Sequence, residues 1–255
     1  MRLQMPVHLG AAYASPSQRA RVVSEGWGEE NLYCPSCTSH RLSRSRANTP
    51  AIDFVCPECD SLYQLKSQAH TLSARISDAA YKKMRDAIIH GRTPSLLALH
   101  YDSVRWLVQD LILIPRFVFS MSCIERRNPL RPTAERHGHV LCNILLGNIP
   151  PDARIFIVTA GQVASPTAVR QQYARLRPLE KLGHEARGWT LDVLNVVRAI
   201  GREEFSLAEV YAFADTLRRL HPQNRHVEDK IRQQLQRLRD LGFLEFVGRG
   251  NYRLL

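Results

Sequence analysis

Cys34-Pro-Ser-Cys37 and Cys56-Pro-Glu-Cys59, two CxxC pairs with eighteen residues between them, decide how this chain is read. Each CxxC turn aims two sulfurs at one tetrahedral ion, so two such turns form a four-thiolate zinc site from Cys34, Cys37, Cys56 and Cys59. The ion clips two short strands side by side, Ala51 to Val55 ahead of the second pair and Leu62 to Lys66 behind it. Asp53, Gln64 and Lys66 then meet on neighbouring strands. Positions 64 and 66 share a face, because strand side chains alternate.

The whole chain sets limits around that staple. Its 255 residues can bury a real core, as one domain or as two. A hydrophobic fraction of 44% is ordinary for a globular protein. The net charge of +11 points to a polyanionic partner, a solvated basic surface being the alternative. Cys123 and Cys142 lie in apolar surroundings and read as buried thiols. The start, MRLQMPVHLGAAYASPSQ, has no apolar run of signal-peptide length, and Leu111 to Ile114 is far too short to span a bilayer. A cytoplasmic protein in a reducing compartment, with no membrane partner, is expected.

Outward from the staple, Ser15-Pro16-Ser17 starts a short helix, Gln18 to Trp27, ended by Gly26 and Gly28. Its Glu25 faces either the paired strands or solvent. Between the CxxC pairs, Arg41, Arg44 and Arg46 sit in a Ser-rich loop that either follows a nucleic-acid backbone or is simply solvated. Ile76, Ala80, Met84 and Ile88 recur at four-residue spacing and predict a helix over 73–90. SLLALH at 95–100 and WLVQDLILI at 106–114 read as buried strands, which makes the core α/β. Arg116 to His139 is basic, contains Pro129, Pro132 and Gly138, and reads as a loop. Its His137 and His139 lack a nearby third ligand and suggest no metal. RIFIVT at 154–159 is another strand, and Ser165-Pro166 opens a helix to about Leu182.

From Arg187 the pattern turns helical. Thr190 caps a helix to Ile200, Ser206 and Glu209 form a capping box for a second ending near Leu220, and Asn224 caps a third to about Leu241. Two strands around Gly248-Arg249-Gly250 complete a winged helix-turn-helix. On the third helix Val227, Ile231, Leu235 and Leu238 make the buried stripe. Arg225, Arg232, Gln233 and Gln236 then face outward, and Arg249 tips the wing. Arg and Gln are the side chains that pair bidentately with guanine and adenine edges. Contacts to another protein are the alternative use of such a fold.

Hydrolysing a phosphodiester needs a hydroxide, a cation to absorb charge and a proton for the leaving oxygen. In the PD-(D/E)XK arrangement two acids hold a divalent ion, and a Lys two residues beyond the second acid positions the water. Asp53 and Lys66 fit those places, and the main-chain carbonyl of Leu65 can add an oxygen ligand. Position 64 is Gln, whose amide oxygen can coordinate but brings no charge. Either Glu25, Asp60 or Asp78 completes the site, or cleavage is weak or absent.

Several stretches carry a family resemblance: SQRAR at 17–21, YCPSC at 33–37, AIDF at 51–54, QLKS at 64–67, PTAERHG at 132–138, CNI at 142–144, RIFIV at 154–158, RGWT at 187–190 and the end from Lys230. In these the chain resembles the DpnI family of methyl-directed restriction endonucleases, which includes Dam-replacing enzymes. The resemblance implies a PD-(D/E)XK catalytic domain with a zinc ribbon over 1–183 and a winged-helix DNA-binding domain over 184–255. It implies cleavage of double-stranded DNA at GATC when the adenine is N6-methylated, by a monomer carrying structural zinc on the four cysteines. Catalytic magnesium would rest on Asp53, Gln64 and the Leu65 carbonyl, with Lys66 beside it. The expected DNA contacts are Arg126, Arg127, Arg136, His139, Arg225, Arg232, Gln233, Gln236 and Arg249. Gln64 stands where the family has Glu, and His139 where it has a Trp that wedges into the base stack. The Gln64 departure opens a second expectation, a methyl-adenine-binding protein with an inactive or weakened nuclease site. Trp106, Trp189 and Tyr252 each offer a surface for the methyl group.

Overall fold

Short apolar runs separated by polar turns build a mixed α/β structure around one large sheet, described by a computed structural model. It describes residues 1–255 other than Ala47, Asn48, Pro50, Pro132, Ala134, Glu135 and Arg136. The elements begin with α1 (Pro16–Asn31), β1 (Ser43–Arg44), β2 (Phe54–Val55), β3 (Leu62–Gln68) and β4 (Arg75–Ala80). Next come α2 (Tyr81–Ile89), β5 (Ser95–Asp102), β6 (Leu107–Ile114), β7 (Ile124–Pro129) and β8 (Val140–Leu145). β9 (Ile155–Thr159), β10 (Gln162–Val163) and α3 (Pro166–Leu176) close this part.

The sheet runs in the order β1-β2-β3-β5-β6-β9-β10. β3 and β5 pair in parallel, with Lys66 beside Ala98, while β5–β6 and β6–β9 are antiparallel. A parallel pair needs a crossover, and β4 with α2 supplies it. β4 leaves the main sheet to form a second one, β4-β8-β7. The apolar runs of β5 and β6 follow from their central place: Leu96, Leu97, Leu99, Leu111 and Leu113 are all at most 2% exposed.

α1 packs on β3, with its Val23 and Trp27 fully buried, and the Ser67 hydroxyl donates to that of Ser24 at 3.0 Å. The helix does not stop at Gly26 and Gly28 but continues to Asn31. Those glycines serve close approach rather than termination. A Cβ on Gly28 would stand 2.6 Å from Cζ of Phe54, and one on Gly26 2.3 Å from Cδ1 of Leu9. We therefore expect Gly28→Ala to cost about 1–3 kcal/mol through overpacking, read from the urea midpoint. An unchanged midpoint would show that helix and strand have room to part.

Two other expectations are corrected. Over 73–90 the chain is a strand and then a helix, not one helix. Ile76 and Ala80 belong to β4, while Met84 and Ile88 are the buried residues of α2. A spacing of four is even, so it fits a strand's alternation as well as a helix's turn. Over 116–139 the chain is not a plain loop: two 3-10 turns, Arg116–Val118 and Met121–Cys123, lead into β7. β7 is an edge strand whose one buried residue is Ile124, so it lacks the alternation that marks a strand.

The carboxy-terminal part holds α4 (His184–Ala199), β11 (Glu204–Ser206), α5 (Leu207–Tyr211), α6 (Ala214–Leu220), α7 (Val227–Asp240), β12 (Leu244–Gly248) and β13 (Asn251–Leu254). The three strands pair as β11-β13-β12. Ser206 and Glu209 make the expected capping box. Thr190 is not a cap: it lies inside α4, fully buried, and its hydroxyl is shared between the Ala186 carbonyl and Gln234 Oε1. The helix expected to end near Leu220 is two pieces, α5 and α6. Asn224 accepts from the His226 N–H at 2.8 Å, and α7 starts only at Val227. No described helix is long and apolar enough to cross a membrane.

Candidate metal centres and nucleic-acid interface

The sulfurs of Cys34, Cys37, Cys56 and Cys59 all lie within 4.8 Å of one another. Cys34–Cys59 at 3.7 Å and Cys37–Cys56 at 3.5 Å are two edges of the set. A thiolate tetrahedron with Zn–S of about 2.3 Å has edges of about 3.8 Å, so the donor set fits zinc. Buried Tyr63 places its hydroxyl 3.2 Å from the Cys34 sulfur, and the Ser61 hydroxyl lies 3.2 Å from that of Cys59. Such neighbours orient metal ligands. Burial pushes the Cys34 thiol up; at Cys59 burial acts the same way, but hydrogen bonds with Ser61, Cys37 and Cys56 together outweigh it and bring the thiol down to about 7. Arg170 of α3 donates to the carbonyls of Cys34, Thr38 and Ser39, clamping the first knuckle. No sequence pattern signalled Tyr63 or Arg170. Cys123 and Cys142 are buried as expected, and burial pushes both thiols up to about 11.

The staple leaves an open sheet edge. β2 pairs with β3 at Phe54–Tyr63 and Val55–Leu62, and among the described residues no strand covers that edge of β3 beyond Tyr63. Asp53 closes onto that edge: its N–H donates to the Tyr63 carbonyl at 2.9 Å, and its Oδ2 accepts from the Leu65 N–H at 2.7 Å. In a strand the N–H and C=O of one residue point the same way, so the Leu65 carbonyl faces this edge too. Asp53, Gln64, Leu65 and Lys66 line one cavity of about 690 Å³ with Arg21, Glu25, Arg44 and Arg46. The side chains at 53 and 66 thus converge.

The three candidate second acids separate. Glu25 of α1 is in the cavity, 18% exposed and held by Arg21 at 2.6 Å. Asp78 of β4 stands behind it, its side chain 2% exposed, with Oδ1 2.9 Å from Lys66 Nζ and 3.3 Å from Gln64 Nε2. Asp60 is an exposed knuckle residue outside the cavity. Burial holds Asp53 above the ordinary carboxylate range; the Leu65 N–H opposes this and neighbouring Glu25 adds to it. The donors around the cavity are carboxylate, amide and main-chain oxygens, a hard set that suits magnesium. A cation there would relieve the crowding of Glu25 and Asp53.

Arg126, Arg127 and His139 are exposed on the β7–β8 hairpin, and Arg127 donates to the Ser77 hydroxyl at 3.1 Å. Arg136 lies outside the described residues. Arg232, Gln233 and Gln236 are exposed on α7, with Arg225 just before it and Arg249 in the β12–β13 turn. The stripe of Val227, Ile231, Leu235 and Leu238 is buried as the pattern predicts. Gln234 is buried too, a residue the pattern did not mark. Arg232 donates to the Tyr211 hydroxyl and lies over its ring, 5.7 Å from the centroid. Of the three aromatic candidates for a methyl surface, Trp189 is buried against His221, Trp106 stacks on Tyr101, and Tyr252 lies between Phe205 and Phe246.

Residues 1–182 match the Dam-replacing family and residues 185–254 the Dam-replacing HTH domain. The first match takes in the thiolate cluster and the Asp53 edge, the second α4 to β13. Together they make this a DNA-acting protein of the methyl-directed restriction type, with an HTH domain and no described membrane-spanning helix. The chain belongs to the Dam-replacing (DpnI) family.

Proposed function

We propose that this chain is a magnesium-dependent type II endonuclease that cuts double-stranded DNA at GATC when its adenine is N6-methylated, a type IIM restriction enzyme. The observation that carries the reading is the convergence of Asp53, Gln64, Leu65 and Lys66 on one cavity at a strand edge. Residues 1–183 form a PD-(D/E)XK catalytic domain with a zinc ribbon. Residues 184–255 form a winged helix that docks α7 in the major groove. The protein acts as a monomer, and its zinc thiolates suit the reducing cytoplasm.

Asp53, the Gln64 amide oxygen and the Leu65 carbonyl hold the magnesium, and Glu25 supplies the negative charge that Gln64 lacks. A magnesium ion held there would supply Lewis acidity toward the scissile phosphoryl group and lower the pKa of a water. The Lys66 ammonium hydrogen-bonds that water and offsets charge developing on the phosphorane. Arg21, Arg44 and Arg46 face the same cavity and neutralise the flanking phosphates. On the β7–β8 hairpin, Arg126 and Arg127 grip the backbone, while His139 stacks on a base over less area than an indole would; Arg136 is a further contact proposed from the sequence alone.

On α7, Arg232 and Gln236 read bases, with Gln233, Arg225 and Arg249 supporting the docking. Arg232→Ala or Gln236→Ala should cost about 1–3 kcal/mol at GATC, measured by competition binding. An equal loss on unrelated DNA would make them phosphate contacts instead.

Digestion of adenine-methylated and unmethylated plasmid, each with Mg²⁺ and with Mn²⁺, tests the reading. Cutting of the methylated plasmid alone is expected. An intact methylated plasmid at high enzyme concentration would overturn it. The neutral Gln64 favours one alternative, a methyl-adenine reader with a weakened nuclease site. Tight metal-independent binding without cleavage, together with cleavage gained in Gln64→Glu, would establish that alternative.

A further inference from the structure

A buried carboxylate outside the cavity contacts two of its groups. Asp78 is 2% exposed at its side chain, yet one of its oxygens lies 2.9 Å from Lys66 Nζ and 3.3 Å from Gln64 Nε2. A carboxylate has no proton to give, so the Gln64 amide must present its nitrogen to Asp78. Its oxygen then turns the other way, and Gln64 lines the cavity. The strand ladder reinforces the arrangement: the register of β4 on β8 slips between Asp78 and Ala80. Irregularities of this kind re-aim a side chain, here out of the small sheet and onto β3.

We infer that Asp78 is a positioning residue for the nuclease site proposed above. It fixes the Gln64 amide with its oxygen toward the metal position and tethers the Lys66 ammonium beside it. A neutral glutamine then works as a ligand because its free rotor is already locked in the coordinating orientation. Without Asp78 the amide is free to turn its nitrogen to the cation. The inference rests on the metal-site reading, but it can fail separately.

The test uses the full zinc-loaded chain and Mn²⁺ alone as the probe, with binding read by loss of the free-ion EPR signal. Wild type, Asp78→Ala, Gln64→Ala and the double variant form a cycle. We expect Asp78→Ala, which removes the acceptor, to weaken Mn²⁺ binding about 10-fold, as loss of a partner behind a metal ligand does. In the Gln64→Ala background the same change should cost about 2-fold or less, because the amide it orients is gone. Equal losses in both backgrounds, or no loss in Asp78→Ala, would overturn the inference.

A second measurement needs no variant of Asp78. In wild-type protein the Gln64 side-chain NH₂ signals, identified by their absence in Gln64→Ala, should exchange slowly with water. Fast exchange would overturn the inference even if Asp78→Ala failed to fold. Mn²⁺ binding that is absent in wild type would instead overturn the metal-site reading, while the exchange measurement still judges Asp78.

Discussion

Cys37→Ser or Cys56→Ser unfolds the amino-terminal sheet. A structural zinc of this kind supplies folding free energy on the order of 10 kcal/mol, more than the margin by which most domains are stable. The effect reaches beyond the knuckles because Tyr63 joins the cluster to β3 and Arg170 joins it to α3. A zinc ion lost from this cluster would therefore free the strand that carries Gln64 and Lys66. Near-UV circular dichroism of purified variants, and of wild type treated with a strong chelator, should show the loss of fixed tertiary structure. A soluble, folded, metal-free variant would show that the cluster is dispensable.

Lys66→Gln should cut the single-turnover rate on methylated GATC duplex by about 10³-fold, the usual cost of losing one preorganised charge-stabilising group. Gln is preferred to Ala because Asp78 is buried against Lys66. A neutral amide cannot replace the lost charge, but it keeps a hydrogen bond to that carboxylate and so softens the penalty, about 3–5 kcal/mol, of stranding a buried charge. Metal-free DNA affinity should change little, since one cation among many carries few phosphate contacts. A variant that cuts within tenfold of wild type would remove Lys66 from the chemistry.

The thiol cluster was legible because two CxxC turns at this spacing read as one four-sulfur metal-binding set. The facing of Asp53 and Lys66 was legible for a related reason: clipped strands have a fixed register, and register determines which side chains meet. The buried stripe of α7 follows from helical period alone. What the sequence hid was of three kinds. Gly26 and Gly28 looked like a helix end because their contacts with Leu9 and Phe54 are non-local. β4 passed for a helix because its spacing suits both periods, and β7 passed for a loop because an exposed edge strand has no buried face to repeat. The separate places of Glu25 and Asp78 needed the structure, since one comes from α1 and the other from the second sheet, on opposite sides of β3 in sequence.

One strand edge, stapled by zinc, is proposed to gather a magnesium site and a lysine on a scissile phosphate. Crystals of the protein with methylated GATC duplex, soaked in Mn²⁺ and measured at the manganese and zinc absorption edges, test this arrangement. A zinc peak among the four cysteines and a manganese peak bonded to Asp53 and the Leu65 carbonyl, with Lys66 facing the same phosphate, are expected. A manganese ion bound elsewhere, or a phosphate backbone that passes the Asp53 cavity by, would contradict it.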